Sequence, residues 1–127
     1  YLRLKKLLQE SKLFYKDFDT KDRFKEKIKR NPYSILVAEI NKLFIGVLFI
    51  IEDGWTSFLV RLVIKKEYRS KGVGRELIKE GETILKKKGY KGISIFVDGN
   101  NKKLVSYHQK GGYQIRDRNQ FFMFKKI

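Results

Sequence analysis

Arg69-Ser70-Lys71-Gly72-Val73-Gly74 is the stretch of this chain whose residue types and spacing bear most directly on chemistry. It follows an apolar run from Trp55 to Ile64 and precedes an amphipathic run from Val73 to Lys88, so it reads as a glycine-bearing loop feeding the start of a helix. A helix start presents unpaired backbone N–H groups at the positive end of its aligned peptide dipoles. A residue without Cβ lets an anion come close to that backbone. Such a loop suits a phosphate or a pyrophosphate. Two glycines in a basic loop also describe an ordinary strand-to-helix turn, and the loop alone leaves both readings open.

Composition removes other chemistries. The chain has no cysteine and a single histidine, His108, so disulfides, thiolate nucleophiles and a His/Cys metal site are excluded. Thirty Lys and Arg against fourteen Asp and Glu give a net charge of +16, spread from Arg3 to Lys126. A field of that sign steers anionic partners inward: a phosphate-rich cofactor, an acidic acceptor or nucleic acid. A solvated lysine face with no ligand fits the same numbers. The longest apolar run, Leu43 to Ile51, is far short of the roughly 20 residues that cross a bilayer. No signal-peptide pattern opens the chain, so a soluble, cytoplasmic protein is expected. With 127 residues and 42% apolar content, one domain around one core is expected. The first residue is Tyr1, which suggests that the chain starts inside a longer product.

The elements that must hold the loop follow from periodicity. Leu4, Leu7, Leu8, Phe14, Tyr15 and Phe18 recur at three- and four-residue spacing and predict a helix over Leu2 to Phe18. Asp19-Thr20-Lys21-Asp22 offers N-cap side chains for a short second helix that Asn31-Pro32 stops. Tyr33 to Ile40 and Leu43 to Ile51 read as a hairpin around Asn41-Lys42, and Trp55 to Lys65 as a third antiparallel strand. After the loop, Val73, Leu77, Ile78, Ile84 and Leu85 line one face of a helix that ends at Gly89. Gly81 lies at or near that face, where close contact with the sheet explains it better than a functional role. Ile93 to Val97 reads as a buried strand, a parallel partner for the strand before the loop. Asn100-Asn101 opens a short helix through Lys110, closed by Gly111-Gly112. Tyr113 to Arg118 and Phe121 to Ile127 then predict a terminal hairpin.

This order resembles the GNAT superfamily of N-acetyltransferases, and two motifs carry the resemblance. Tyr68-Arg69-Ser70-Lys71-Gly72-Val73-Gly74-Arg75-Glu76-Leu77 is similar to that family's acetyl-CoA pyrophosphate loop. Asn101-Lys102-Lys103-Leu104-Val105-Ser106-Tyr107-His108-Gln109-Lys110-Gly111-Gly112-Tyr113 is similar to the segment in which an Asn opens a helix that ends in Gly-Phe or Gly-Tyr. The resemblance implies an α/β (α+β) fold with a splayed mixed sheet and a central antiparallel meander, flanked by helices, lacking the family's first strand. The strands ending at Ile64 and Val97 should part to admit a pantetheine arm. Acetyl-CoA is then the implied co-substrate. Main-chain groups of Leu62, Val63 and Ile64 are expected to pair with its amides. Backbone N–H groups of Arg69, Ser70, Lys71, Gly72, Val73 and Gly74 are expected to hold its pyrophosphate, with Asn101 and His108 approaching from the other side.

The implied reaction is direct acetyl transfer to a primary amine, with oxyanion donors near Val63 and Ile64. The position of the family's catalytic acid falls on His108 when Asn101 and Gly112-Tyr113 are both aligned. A one-residue slide puts Tyr107 there instead. Packing alone is an equally good account of His108 at this point. Positions where relatives often carry a basic Glu fall on Phe58 and Phe96, which leaves an ordered water, Asp98, Glu52 or Asp53 as base. The acceptor, a small molecule, a protein or an RNA-borne amine, is not written in any motif; net +16 favours an anionic acceptor over a polyamine. Many members of the family pair as homodimers. The alternative is a basic nucleic-acid-binding domain of the same fold without turnover.

Overall fold

Leu4, Leu7 and Leu8 bury one face of α1, Leu2–Glu10, and the helix stops there rather than at Phe18. The chain reverses at Lys12, whose φ of 58° is left-handed, and the Leu13 amide donates to the Leu8 carbonyl. Phe14, Tyr15 and Phe18 keep their helical spacing in sequence because a tight turn follows, with the Phe18 and Asp19 amides both donating to the Tyr15 carbonyl. Helix α2, Lys21–Arg30, is capped by Thr20, whose side chain accepts from the Arg23 amide. The computed structural model describes residues 1–127, which divide into two compact units, Tyr1–Ile95 and Phe96–Ile127.

The rest of the first unit is built on β1 (Ile35–Ile40), β2 (Leu43–Glu52), β3 (Ser57–Ile64) and β4 (Ser94–Ile95), in that order across one sheet. β1, β2 and β3 pair antiparallel, and β3 pairs parallel with β4. Asn41 and Lys42 both have positive φ, 48° and 66°, the two-residue turn whose twist matches a hairpin. The crossover from β3 to β4 is α3, Val73–Lys87, which ends as expected before Gly89 at φ 93°.

The two faces of the sheet are covered by different helices. Leu4, Leu7, Leu8 and Phe24 from α1 and α2 form one core with Val47, Phe49 and Val63. Helix α3 buries Leu77, Ile78 and Leu85 on the opposite face. There a Cβ on Gly81 would stand 3.2 Å from methyl groups of both Leu48 and Leu59, so this glycine marks the close helix-to-sheet approach that its position suggests. Gly46 does the same nearer the glycine loop. A Cβ there would stand 3.0 Å from the Ile64 and Leu77 side chains and 3.2 Å from that of Val73.

Strand β4 is shorter than the expected Ile93–Val97, and Ser94 is exposed rather than buried. It is an edge strand of the sheet. The second unit contains α4, Lys102–Lys110, with Asn101 as N-cap accepting from the Leu104 amide at 3.1 Å. The chain turns out of α4 at Gly112, φ 97°. The expected terminal hairpin does not form: no strand follows Gly112, and Asp117 accepts from the Asn119 amide in a bend. A two-stranded ribbon alone is marginal in water, and this unit offers it no third strand.

Candidate functional site

The site begins where β3 runs on past β4. Pairing with β4 lasts for two residue pairs, Phe58 with Ser94 and Leu59 with Ile95, and β3 continues to Ile64 without it. Past Leu59 this edge of β3 has no strand partner in the first unit. On its other side β3 pairs with β2, but the register jumps: Phe49 faces Val60 while Val47 faces Val63, so Arg61 and Leu62 together oppose Leu48. Arg61 takes φ 52°, the left-handed conformation of a β-bulge.

The bulge decides which main-chain groups face the opening. Beyond it the Lys65 amide donates to the Ile45 carbonyl at 2.7 Å, so Lys65 and, by alternation, Val63 turn toward β2. Leu62 and Ile64 turn away from β2, to the open edge. Of the three expected partners for an extended ligand, the Leu62 main chain and the Ile64 amide are on this edge. Val63 is not: its main-chain groups belong to the ladder and its side chain is in the core. The Ile64 carbonyl accepts from Arg69 Nε at 3.0 Å, which ties the end of the strand to the loop that follows.

That loop runs through a 3-10 turn at Lys66–Tyr68. The Arg69 amide donates to the Lys66 carbonyl at 3.3 Å, so it closes the turn and is not among the outward amides, a correction to its expected role. Ser70 and Gly72 then both adopt positive φ, 62° and 86°. Left-handed residues interposed in a turn aim successive N–H groups into a concavity that suits an anion. Gly72 is the N-cap of α3 and makes no side-chain cap bond, so the Val73 and Gly74 amides have neither a carbonyl one turn back nor a capping oxygen. Lys71 adds its charge beside the loop, with Nζ 5.8 Å from the centre of the Tyr68 ring. The arrangement can hold a diphosphate by backbone donors and dipole, with no Cβ at Gly72 in the way.

In the second unit, His108 is half-buried on α4, edge-on to Tyr107 at 5.1 Å and to Tyr113 at 5.9 Å between ring centres. Burial pushes its pKa below the usual 6.5, because the imidazolium loses solvation among these rings. It is neutral at pH 7. Asn101 spends its carbonyl oxygen on the α4 cap. The candidate bases are held by turn chemistry or pairing. Asp53 accepts from the Trp55 and Thr56 amides, which pull its carboxyl below the usual range. Asp98 accepts from the Asn100 amide, and Glu52 pairs with Lys88 at 2.7 Å.

A concavity of about 660 Å³ opens near Glu52, Trp55, Ser57, Lys88, Tyr90 and Ser94. It lies at the start of β3 and the end of α3, the opposite end of both elements from the glycine loop, and contains none of the loop's donors. Size does not make it the reaction centre.

Sequence reasoning missed Arg61 and Asp19. Asp19 reads as one of several possible caps, yet Thr20 caps α2 and Asp19 is buried, with Oδ1 accepting from Arg61 Nη1 at 2.8 Å and Oδ2 from the Tyr15 amide at 2.7 Å. The available signal was an arginine inside the apolar run Ser57 to Ile64, because a charge there needs an acidic partner.

The chain is 37% identical over 70 residues, 54% of its length and 44% of the relative's, to a spermidine N(1)-acetyltransferase of Thermoplasma acidophilum. It spans about half the length of the curated relatives it matches. A crystal structure of an aminoglycoside acetyltransferase from an uncultured soil metagenomic sample, in complex with trehalose, superposes with TM-score 0.79 at 14% identity, over 99% of this chain and 88% of that one. A GNAT family acetyltransferase from Elizabethkingia anophelis with acetyl-CoA bound superposes with TM-score 0.63 at 22% identity, over 77% and 63% of the two chains. These structures share its mixed α/β fold. The family model described as the Acetyltransferase (GNAT) family matches residues 1–113, and the chain belongs to that family.

Proposed function

We propose that this chain is an acetyl-CoA-dependent N-acetyltransferase that moves the acetyl group directly to a primary amine. The observation that carries the reading is the succession, within thirteen residues of sequence, of an outward-facing strand edge at Leu62 and Ile64 and an uncapped helix start at Gly72 to Gly74. An extended pantetheine arm adds to the first as a strand would, and the diphosphate meets the second, with Ser70, Lys71, Gly72, Val73 and Gly74 as donors. Asn101 contacts the carrier in the register that its motif implies.

The neutral amine attacks the thioester carbonyl, and the oxygen that becomes negative is stabilised by the outward Ile64 amide. The ammonium of the tetrahedral intermediate must lose a proton and the departing thiolate must gain one. His108, neutral at pH 7, is suited to take the first and deliver the second, with Tyr107 as the alternative group. Positioning supplies much of the rate, which agrees with Phe58 and Phe96 at positions where a carboxylate base would otherwise stand. The same reading takes residues 1–127 as one catalytic domain, cytoplasmic and able to pair with a second copy.

The experiment is a panel of amines: spermidine and an aminoglycoside, after the names of the relatives, an N-terminal peptide and an aminoacyl-tRNA, each with acetyl-CoA while free thiol is monitored. Thiol release matched by acetylated product on at least one amine is the expected result. Acetyl-CoA without turnover on every amine, together with a salt-dependent shift of nucleic acid in gels, overturns it in favour of a basic binding domain.

A further inference from the structure

Arg61 is the feature of the first unit that the reaction as described does not use. A non-glycine residue in the left-handed region is strained, and such residues persist only where the surroundings hold them. The restraint is visible. Arg61 Nη1 pairs with Asp19 Oδ1 at 2.8 Å, the two side chains being 24% and 5% exposed. The guanidinium also lies over the rings of Tyr15 and Phe49, 5.1 and 5.2 Å from their centres. Asp19 is fixed in turn by the Tyr15 amide on Oδ2 and by the Tyr1 hydroxyl on its carbonyl. The anchor therefore comes from the connection between α1 and α2, far from Arg61 in sequence.

What this anchor maintains is the alternation of β3. Without the extra residue, Val60, Leu62 and Ile64 would share one face and one hydrogen-bonding direction. With it, Val60 and Val63 both meet the core under α1 and α2, while Ile64 packs beside Gly46 under α3. The same shift turns the Leu62 and Ile64 main chain to the open edge. We infer that Arg61 is a positioning residue: its pairing with Asp19 holds the bulge that presents Leu62 and Ile64 to the thioester arm. This inference rests on the reading of that edge given under the proposed function.

The test separates the bulge from the ion pair as such. Arg61→Ala removes the restraint and keeps a side chain that resists φ 52°, whereas Arg61→Gly removes the restraint and the resistance together. Acetyl-CoA affinity by calorimetry should fall roughly five- to thirty-fold in Arg61→Ala, the equilibrium shift that left-handed strain of one residue produces. Asp19→Asn should fall in the same direction. Arg61→Gly should stay within about threefold of the parent, although it too has lost the ion pair. Amide exchange at Leu62 and Ile64 should slow on adding acetyl-CoA to the parent and to Arg61→Gly, and less in Arg61→Ala. If Arg61→Ala does not fold, Asp19→Asn against Arg61→Gly decides. Equal loss in the glycine variant and the others, or no loss in any, overturns the inference while parental binding stands. A parent that does not bind acetyl-CoA overturns the edge reading itself, and the inference with it.

Discussion

His108 shows how one residue's surroundings set its part. A histidine on a short basic helix would titrate near 6.5, but the edges of Tyr107 and Tyr113 withdraw it from water and favour the neutral ring. The unfolded chain then holds more proton than the folded one between the lowered value and 6.5, so this group's contribution to stability is lost as pH falls through that window. For transfer, the same shift extends the pH range in which the ring accepts a proton. His108→Ala should lower kcat about a hundredfold while acetyl-CoA affinity changes little, and should remove an ascending limb with a midpoint below 6.5 from the pH profile. Steady-state rates from pH 5 to 9 check this. A variant that keeps both rate and profile leaves His108 with packing alone.

At the scale of the element, the start of α3 is placed by contacts that have nothing to do with phosphate. The side chains of Val73, Leu77 and Ile64 converge over Gly46 on β2, which fixes the first helical turn against the sheet. Arg69 Nε on the Ile64 carbonyl closes the short loop between them. Gly72 is left with open space around the position of a Cβ but with φ 86°, so substitution there meets backbone strain rather than a clash. Gly72→Val should cost about 1–2 kcal/mol of stability, since a β-branched residue resists left-handed backbone. It should also weaken acetyl-CoA binding by more than about tenfold, because the amides at the helix start would rotate away from the diphosphate. Chemical denaturation and calorimetry on the same variant separate the two effects; unchanged affinity removes the loop from the site.

On the scale of the whole molecule, net +16 acts through distance rather than contact. It should draw a multiply anionic carrier to the basic loop, so the KM for acetyl-CoA should rise several-fold between about 0.05 and 0.5 M salt while kcat holds, as screening shortens the reach of the field. A KM insensitive to salt would confine the charge to solubility. The elements of the chain were legible from local signals. Apolar spacing marked α1, α2 and α3, Asn41-Lys42 marked the hairpin, and the glycines marked the turn into α3, because each depends on neighbours within a few residues. Three things were not legible. The end of α1 at Glu10 depends on a left-handed Lys12, and the terminal hairpin needed a partner strand that its own unit does not supply. The bulge at Arg61 is the third, held by Asp19 across 42 residues of chain. The sequence by itself determined the order of the helices and of the strands up to Ile64, and the turn between β3 and α3. Only the tertiary structure decided which amides of β3 face outward, since hydrogen-bonding direction follows from register with a neighbouring strand and from a buried ion pair that no local pattern encodes.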